Sequence, residues 1–131
     1  MDRSELSDEF IMAERHKSNL ILEANLLKSQ ELYWPAAEKF AAAAEIEEKL
    51  VQQLVHLNRR EKAFFHLFSA VSCWAQAGDL HRALRLGADL VSFEGISQAR
   101  LQSAQEYIEV LRSRYVQWMS SWQPQMVGTA D

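Results

Sequence analysis

The amino-acid sequence predicts an all-α fold of about five antiparallel helices, and three observations carry that expectation. The chain has 131 residues, 48% of them hydrophobic and 24% charged, which suits one globular core and leaves little for a second. It holds only 4 glycines, 2 prolines and a single threonine, Thr129, which is poor material for a sandwich or barrel rich in turns and β-branched strands. Apolar residues instead recur at helical spacing in five stretches, punctuated by capping residues.

The first helix is expected after Ser7, an N-cap, with Asp8 and Glu9 favourably placed against the helix dipole, and to stop near Ser29. Phe10, Leu20, Ala24 and Leu27 mark its buried stripe. The second runs from about Trp34 to Leu57, with Pro35 tolerated in the first turn and Asn58 as the stop. The third, from about Arg60 to Ala77, carries Phe64, Leu67, Phe68, Val71 and Trp74 and ends at Gly78, a left-handed C-terminal cap. Asp79 caps the fourth, which reaches about Phe93, with Gly95 closing it. Gly87 inside it costs about 1 kcal/mol relative to alanine and so points to close helix packing. The fifth opens at Ser97 and is expected to end near Trp122, before Pro124. The domain is thus 1–123, with a polar tail over 124–131.

Charge and hydropathy narrow the function classes. The net charge is -4 and the pI about 5.6, which gives no electrostatic drive toward duplex nucleic acid. Residues 1–50 hold 11 acids and 6 bases, residues 51–131 hold 7 and 8. The acidic second helix, with Glu31, Glu38, Glu45, Glu47 and Glu48, is expected to face solvent or a basic partner. The longest apolar run, Phe40 to Ala44, is far below the roughly 20 residues that span a bilayer. The acidic N-terminus does not read as a secretory signal, and Cys73 has no second cysteine to pair with, so a cytoplasmic setting is expected.

An internal repeat is the most informative pattern. Leu20, Ala24, Leu27, Tyr33, Ala36, Phe40 and Ala43 place small residues between large ones on two successive helices. The same offsets return 47 residues on, with Leu67, Val71, Trp74, Gly78, Leu80, Ala83, Gly87 and Leu90. A half-copy follows after a further 33 residues, in Arg100, Ala104 and Tyr107. The segment Trp74-Ala75-Gln76-Ala77-Gly78-Asp79-Leu80-His81-Arg82-Ala83-Leu84 resembles the inter-helix turn and second-helix small residue of the tetratricopeptide (TPR) repeat. The resemblance covers about residues 17–110. It departs from the family in the longer first spacing, the lack of a repeat-ending proline, and Gly87 where a large aromatic is common. It implies a degenerate TPR-like α-α superhelix capped by the fifth helix. The plain alternative is a compact five-helix bundle with alanine-rich seams.

The resemblance also implies a groove lined by the first helix of each pair, binding an extended peptide or a partner's helix. By position it would hold Ile21, Asn25 and Lys28, then Phe65, Phe68, Ser72 and Gln76, then Gln98, Leu101 and Gln105. With Ile21 where a lysine is expected, the carboxylate-gripping pattern of chaperone-tail binders is not met. A second candidate surface is the stripe Tyr115, Trp118, Met119 and Trp122, an aromatic face suited to an interface or to packing back on the body.

An enzyme reading rests on Arg60 and His66, whose spacing resembles the arginine-histidine pair of HEPN-type ribonucleases, where arginine steadies phosphate and histidine moves a proton. No zinc-ligand cluster, phosphate-cradling glycine loop or Glu-x-x-His motif accompanies it, so no cofactor or metal is expected. The expected function is therefore a protein-protein interaction module, an adaptor, chaperone-like cap or assembly subunit whose partner is another protein or itself, without intrinsic catalysis and without membrane or nucleic-acid binding.

Overall fold

A computed structural model of the chain describes the backbone of residues 6–130 and the side chains of residues 6–121. The described backbone is all-α: α1 (Asp8–Ser29), α2 (Tyr33–His56), α3 (Arg60–Gln76), α4 (Leu80–Val91) and α5 (Gln98–Ala130). Each helix packs mainly against its neighbours in sequence, α1 on α2, α2 on α3, α3 on α4 and α4 on α5. No helix among the described residues is long and apolar enough to cross a membrane.

Local chemistry sets the boundaries. The Ser7 hydroxyl accepts from the Phe10 amide and the Asp79 carboxylate from the Arg82 amide, so α1 and α4 begin at side-chain caps. The first three connections are the same three-residue turn. Glu31, Asn58 and Gly78 each take a left-handed φ, of 62°, 61° and 87°. The next amide in each case reaches back five residues, Leu32 to Leu27, Arg59 to Leu54 and Asp79 to Trp74, which is the Schellman closure. The entry residues Leu32, Arg59 and Asp79 share nearly the same backbone conformation, with ψ of 72°, 73° and 74°. Glycine adopts such a φ freely and asparagine tolerates it, so Glu31 is the costly member of the set.

The 47-residue repeat is visible in the packing. Leu20, Ala24, Ala36, Phe40 and Ala43 are buried, and so are Leu67, Val71, Ala83, Gly87 and Leu90 at the matching places, whereas Leu27 is half-buried where Trp74 is buried and Tyr33 is exposed where Leu80 is half-buried. The two left-handed residues Glu31 and Gly78 stand 47 apart as well. Thus α1–turn–α2 and α3–turn–α4 bury equivalent positions around one core, which Ala104, Ile108 and Leu111 of α5 close at the far end. A smaller cluster of Phe10, Leu50, Leu54 and Ala63 lies beside it. Gly87 lets α5 approach α4, because a methyl group there would collide with the Ile108 side chain.

Two boundaries differ from expectation. Helix α4 stops at Val91, two residues before Phe93, whose ring instead packs edge-on against Phe64 at 5.9 Å. The backbone of α5 remains helical to Ala130, past the expected end near Trp122 and through Pro124. Its 33 residues make it about 50 Å long against about 18 Å for α4, so it overhangs the body.

Candidate functional site

The odd-numbered helices form one face. Lys28 Nζ on α1 donates to Gln76 Oε1 on α3 at 3.1 Å, and Phe68 on α3 stacks on Tyr107 of α5 with ring centroids 5.2 Å apart. Arg100 of α5 pairs with Glu61 and lies over the Phe65 ring, 4.9 Å from its centroid. Side chains of α1, α3 and α5 therefore meet although these helices are not consecutive.

The residues expected in the groove differ in depth. Phe65 is 50% exposed and shares with Phe68 a cleft of about 290 Å³, lined also by Ala99, Arg100 and Ser103. Ile21, Ser72 and Leu101 are half-buried, and Ile21 and Leu101 pack on the core. Asn25, Gln98 and Gln105 are exposed, while exposed Lys28 and Gln76 are tied to each other. The face is thus an aromatic and cationic cleft between α3 and α5, continued by amides toward α1.

The C-terminal stripe stands apart from it. Tyr115 is half-buried and tilted against Trp118, with centroids 6.1 Å apart, while Trp118 and Met119 are exposed. Tyr115 and Trp118 border a cleft of about 540 Å³ between α5 and the α3–α4 turn, with His81 and Arg114 at its rim. The Trp122 side chain lies outside the described residues. Past Leu111, α5 buries none of its described side chains.

The least expected feature is a buried polar cluster. Glu47 of α2 is fully buried, which corrects the expectation that the whole acidic face of that helix meets solvent. One of its oxygens lies 2.5 Å from His66 Nδ1 and the other 3.5 Å from Lys17 Nζ. The other ring nitrogen of His66, Nε2, is 3.2 Å from a Glu14 oxygen. Four residues from α1, α2 and α3 are tied together in this way. Glu48, one residue on, accepts a hydrogen bond from Trp74 Nε1 at 2.6 Å, and Arg82 lies over the same indole at 4.2 Å.

Sequence reasoning missed Glu47, although a signal was present. It stands in register with Phe40, Ala43, Leu50 and Leu54, the buried stripe of α2. Burial and then the Glu47 charge push the neighbouring Cys73 thiol up to about 11, against partial relief from the Ser69 hydrogen bond and Lys17. A thiol held protonated in this way is a weak nucleophile at neutral pH.

Arg60 and His66 do not meet. Arg60 extends over Phe93, 6.0 Å from its centroid, and packs beside Gly95. His66 points the other way, into the Glu14–Glu47 pair. Among the described residues, no group of three or more His, Cys, Asp or Glu is placed to hold a metal ion.

Fold and face together define an all-α protein of five sequentially packed helices. No protein-family model matches the chain, and comparison with curated proteins and with solved structures returns no match.

Proposed function

We propose that this chain is a TPR-like interaction module that binds a peptide or helix of another protein along the α1, α3 and α5 face. One observation carries the reading. Two helical hairpins that bury several of their repeated positions alike bring side chains of the odd-numbered helices together, and there a half-exposed Phe65 lies beside Arg100, itself paired with Glu61. A large aromatic beside an arginine is a common composition of interface anchors, and the ring buries much area at small conformational cost. The stacked Phe68–Tyr107 pair and the Glu61–Arg100 ion pair hold the cleft in shape before a partner arrives, which lowers the ordering cost of binding.

Catalysis forms no part of this reading. The Cys73 thiol is buried and held protonated, and the buried histidine has both ring nitrogens directed at carboxylates of the chain itself. The protein would act as an adaptor or assembly subunit. Affinity capture with the wild-type chain and with Phe65→Glu, in extracts of the cells that encode it, tests the proposal. A partner retained by the wild type and lost on Phe65→Glu, with helicity unchanged, supports it. Equal retention by the two chains refutes it.

A further inference from the structure

The end of the helical stack at α1 carries a second surface, distinct from the groove. On the face of α1 opposite its buried stripe, Ile11, Met12, Leu22 and Leu26 are 44%, 67%, 68% and 60% exposed. None of the other described helices covers these four residues, and an apolar face left outward in a stack of helices is unusual. Here the outer face of α1 carries four large apolar residues among polar and charged ones.

The row also has an internal symmetry. Along the outer face the order is Ile11 and Met12, then Arg15, then Ser18 and Asn19, then Leu22 and Glu23, then Leu26. About a point between Ser18 and Asn19, Ile11 stands as far out as Leu26, and Arg15 as far out as Leu22, with Glu23 one position beyond. A second copy laid antiparallel would therefore set Ile11 and Met12 against Leu26, and Arg15 against Leu22 and Glu23. The small residues Ser18 and Asn19 would sit at the crossing, where backbones come closest. A parallel arrangement would oppose Arg15 to Arg15 and Glu23 to Glu23. The antiparallel one replaces these repulsions with two attractions and also opposes the helix dipoles favourably. Glu23 is paired with Lys39 at 2.9 Å, and its side chain is 55% exposed.

We infer that this face of α1 binds a second copy of the chain, as an antiparallel two-fold dimer centred on Ser18 and Asn19. The contact is isologous and closed, so association stops at two. A single helix pair is small beside the roughly 800 Å² per partner of a standard interface, so the dimer dissociates on dilution.

Light scattering over a dilution series, with disulfide trapping of Asn19→Cys, tests the inference. The native Cys73 is buried and does not compete for cross-linking. The expected result is a mass approaching twice 15.1 kDa at high concentration. Leu22→Arg should weaken the dimer at least tenfold. Arg15→Glu should weaken it, and Arg15→Glu with Glu23→Arg should restore it. Asn19→Cys should cross-link to a dimer faster than Ser29→Cys, which lies far from the axis. A monomer at every concentration overturns the inference. So does a mass that rises without a plateau, which would mean end-to-end stacking, or a dimer indifferent to Leu22→Arg and to the charge swap. Exposure of Leu22 and Arg15 keeps these variants folded, and circular dichroism checks that they are.

Discussion

Replacing Glu47 by glutamine removes one charge from the centre of the protein while leaving its shape. The wild-type carboxylate is fully buried, with one oxygen 2.5 Å from His66 Nδ1 and the other 3.5 Å from Lys17 Nζ. Glutamine can still offer its oxygen to His66. Its amide nitrogen then faces the Lys17 ammonium, so two donors oppose each other and the lysine loses its counter-charge. Breaking a buried ion pair from one side costs about 3–5 kcal/mol. Lys17 retains 13% side-chain exposure and can lean toward water, which places the loss near the lower figure, about 3 kcal/mol. Domains of this size have only about 5–15 kcal/mol to lose. At a urea slope of about 2 kcal/mol/M, the unfolding midpoint should fall by about 1.5 M.

Urea titration followed by circular dichroism measures this directly. A triple variant, Lys17→Met, Glu47→Leu and His66→Leu, should recover most of the loss, because apolar groups of similar volume carry no desolvation penalty. A Glu47→Gln midpoint within about 0.2 M of wild type would refute the claim that this cluster ties α1, α2 and α3 together.

The turns and the thiol yield further expectations. Glu31→Gly should stabilise the protein by about 1 kcal/mol, seen as a rise in Tm of roughly 3–4 °C, because a left-handed φ of 62° strains a side-chain-bearing residue. Gly78→Ala, at φ 87° with open space around it, should destabilise by about 1 kcal/mol through backbone strain alone, and equal Tm values for the two chains would contradict this. Cys73 should resist a thiol reagent at pH 8 until the protein unfolds, since its thiol is pushed up to about 11. Its native state stays protonated while the unfolded thiol ionises, so this group's contribution to stability is full below about pH 9 and is lost as pH rises toward 11. Labelling at pH 8 as fast as that of the unfolded chain would contradict the buried placement.

Much of the fold was legible because helix starts and stops are written locally. Ser7, Asp79 and Gly78 act at the caps where their side chains, or the lack of one, predict. The 47-residue repeat was legible for a related reason, since small residues at fixed offsets mark where helices touch. Glu31 gave no warning of its left-handed turn, since nothing in a glutamate favours that conformation and the packing of the hairpin imposes it. The continuation of α5 through Pro124 likewise runs against local propensity.

The site was legible only in part. Phe65 and Phe68 could be singled out as aromatic residues of α3, yet their contacts Arg100 and Tyr107 come from more than 30 residues away, and no local pattern pairs them. Glu47 and His66 show the same limit. Each stands in the buried register of its own helix, but a charge in such a register is explained only by the group it meets, on another helix.

Site-specific photo-cross-linking at position 65 tests the central claim most directly. A photoreactive phenylalanine analogue in place of Phe65, expressed in the native cells, should yield one discrete adduct with another protein. The same analogue at exposed Glu45 on α2 should yield none. Adducts of the same identity and yield from both positions, or no adduct from position 65, would contradict a binding groove on the α1, α3 and α5 face.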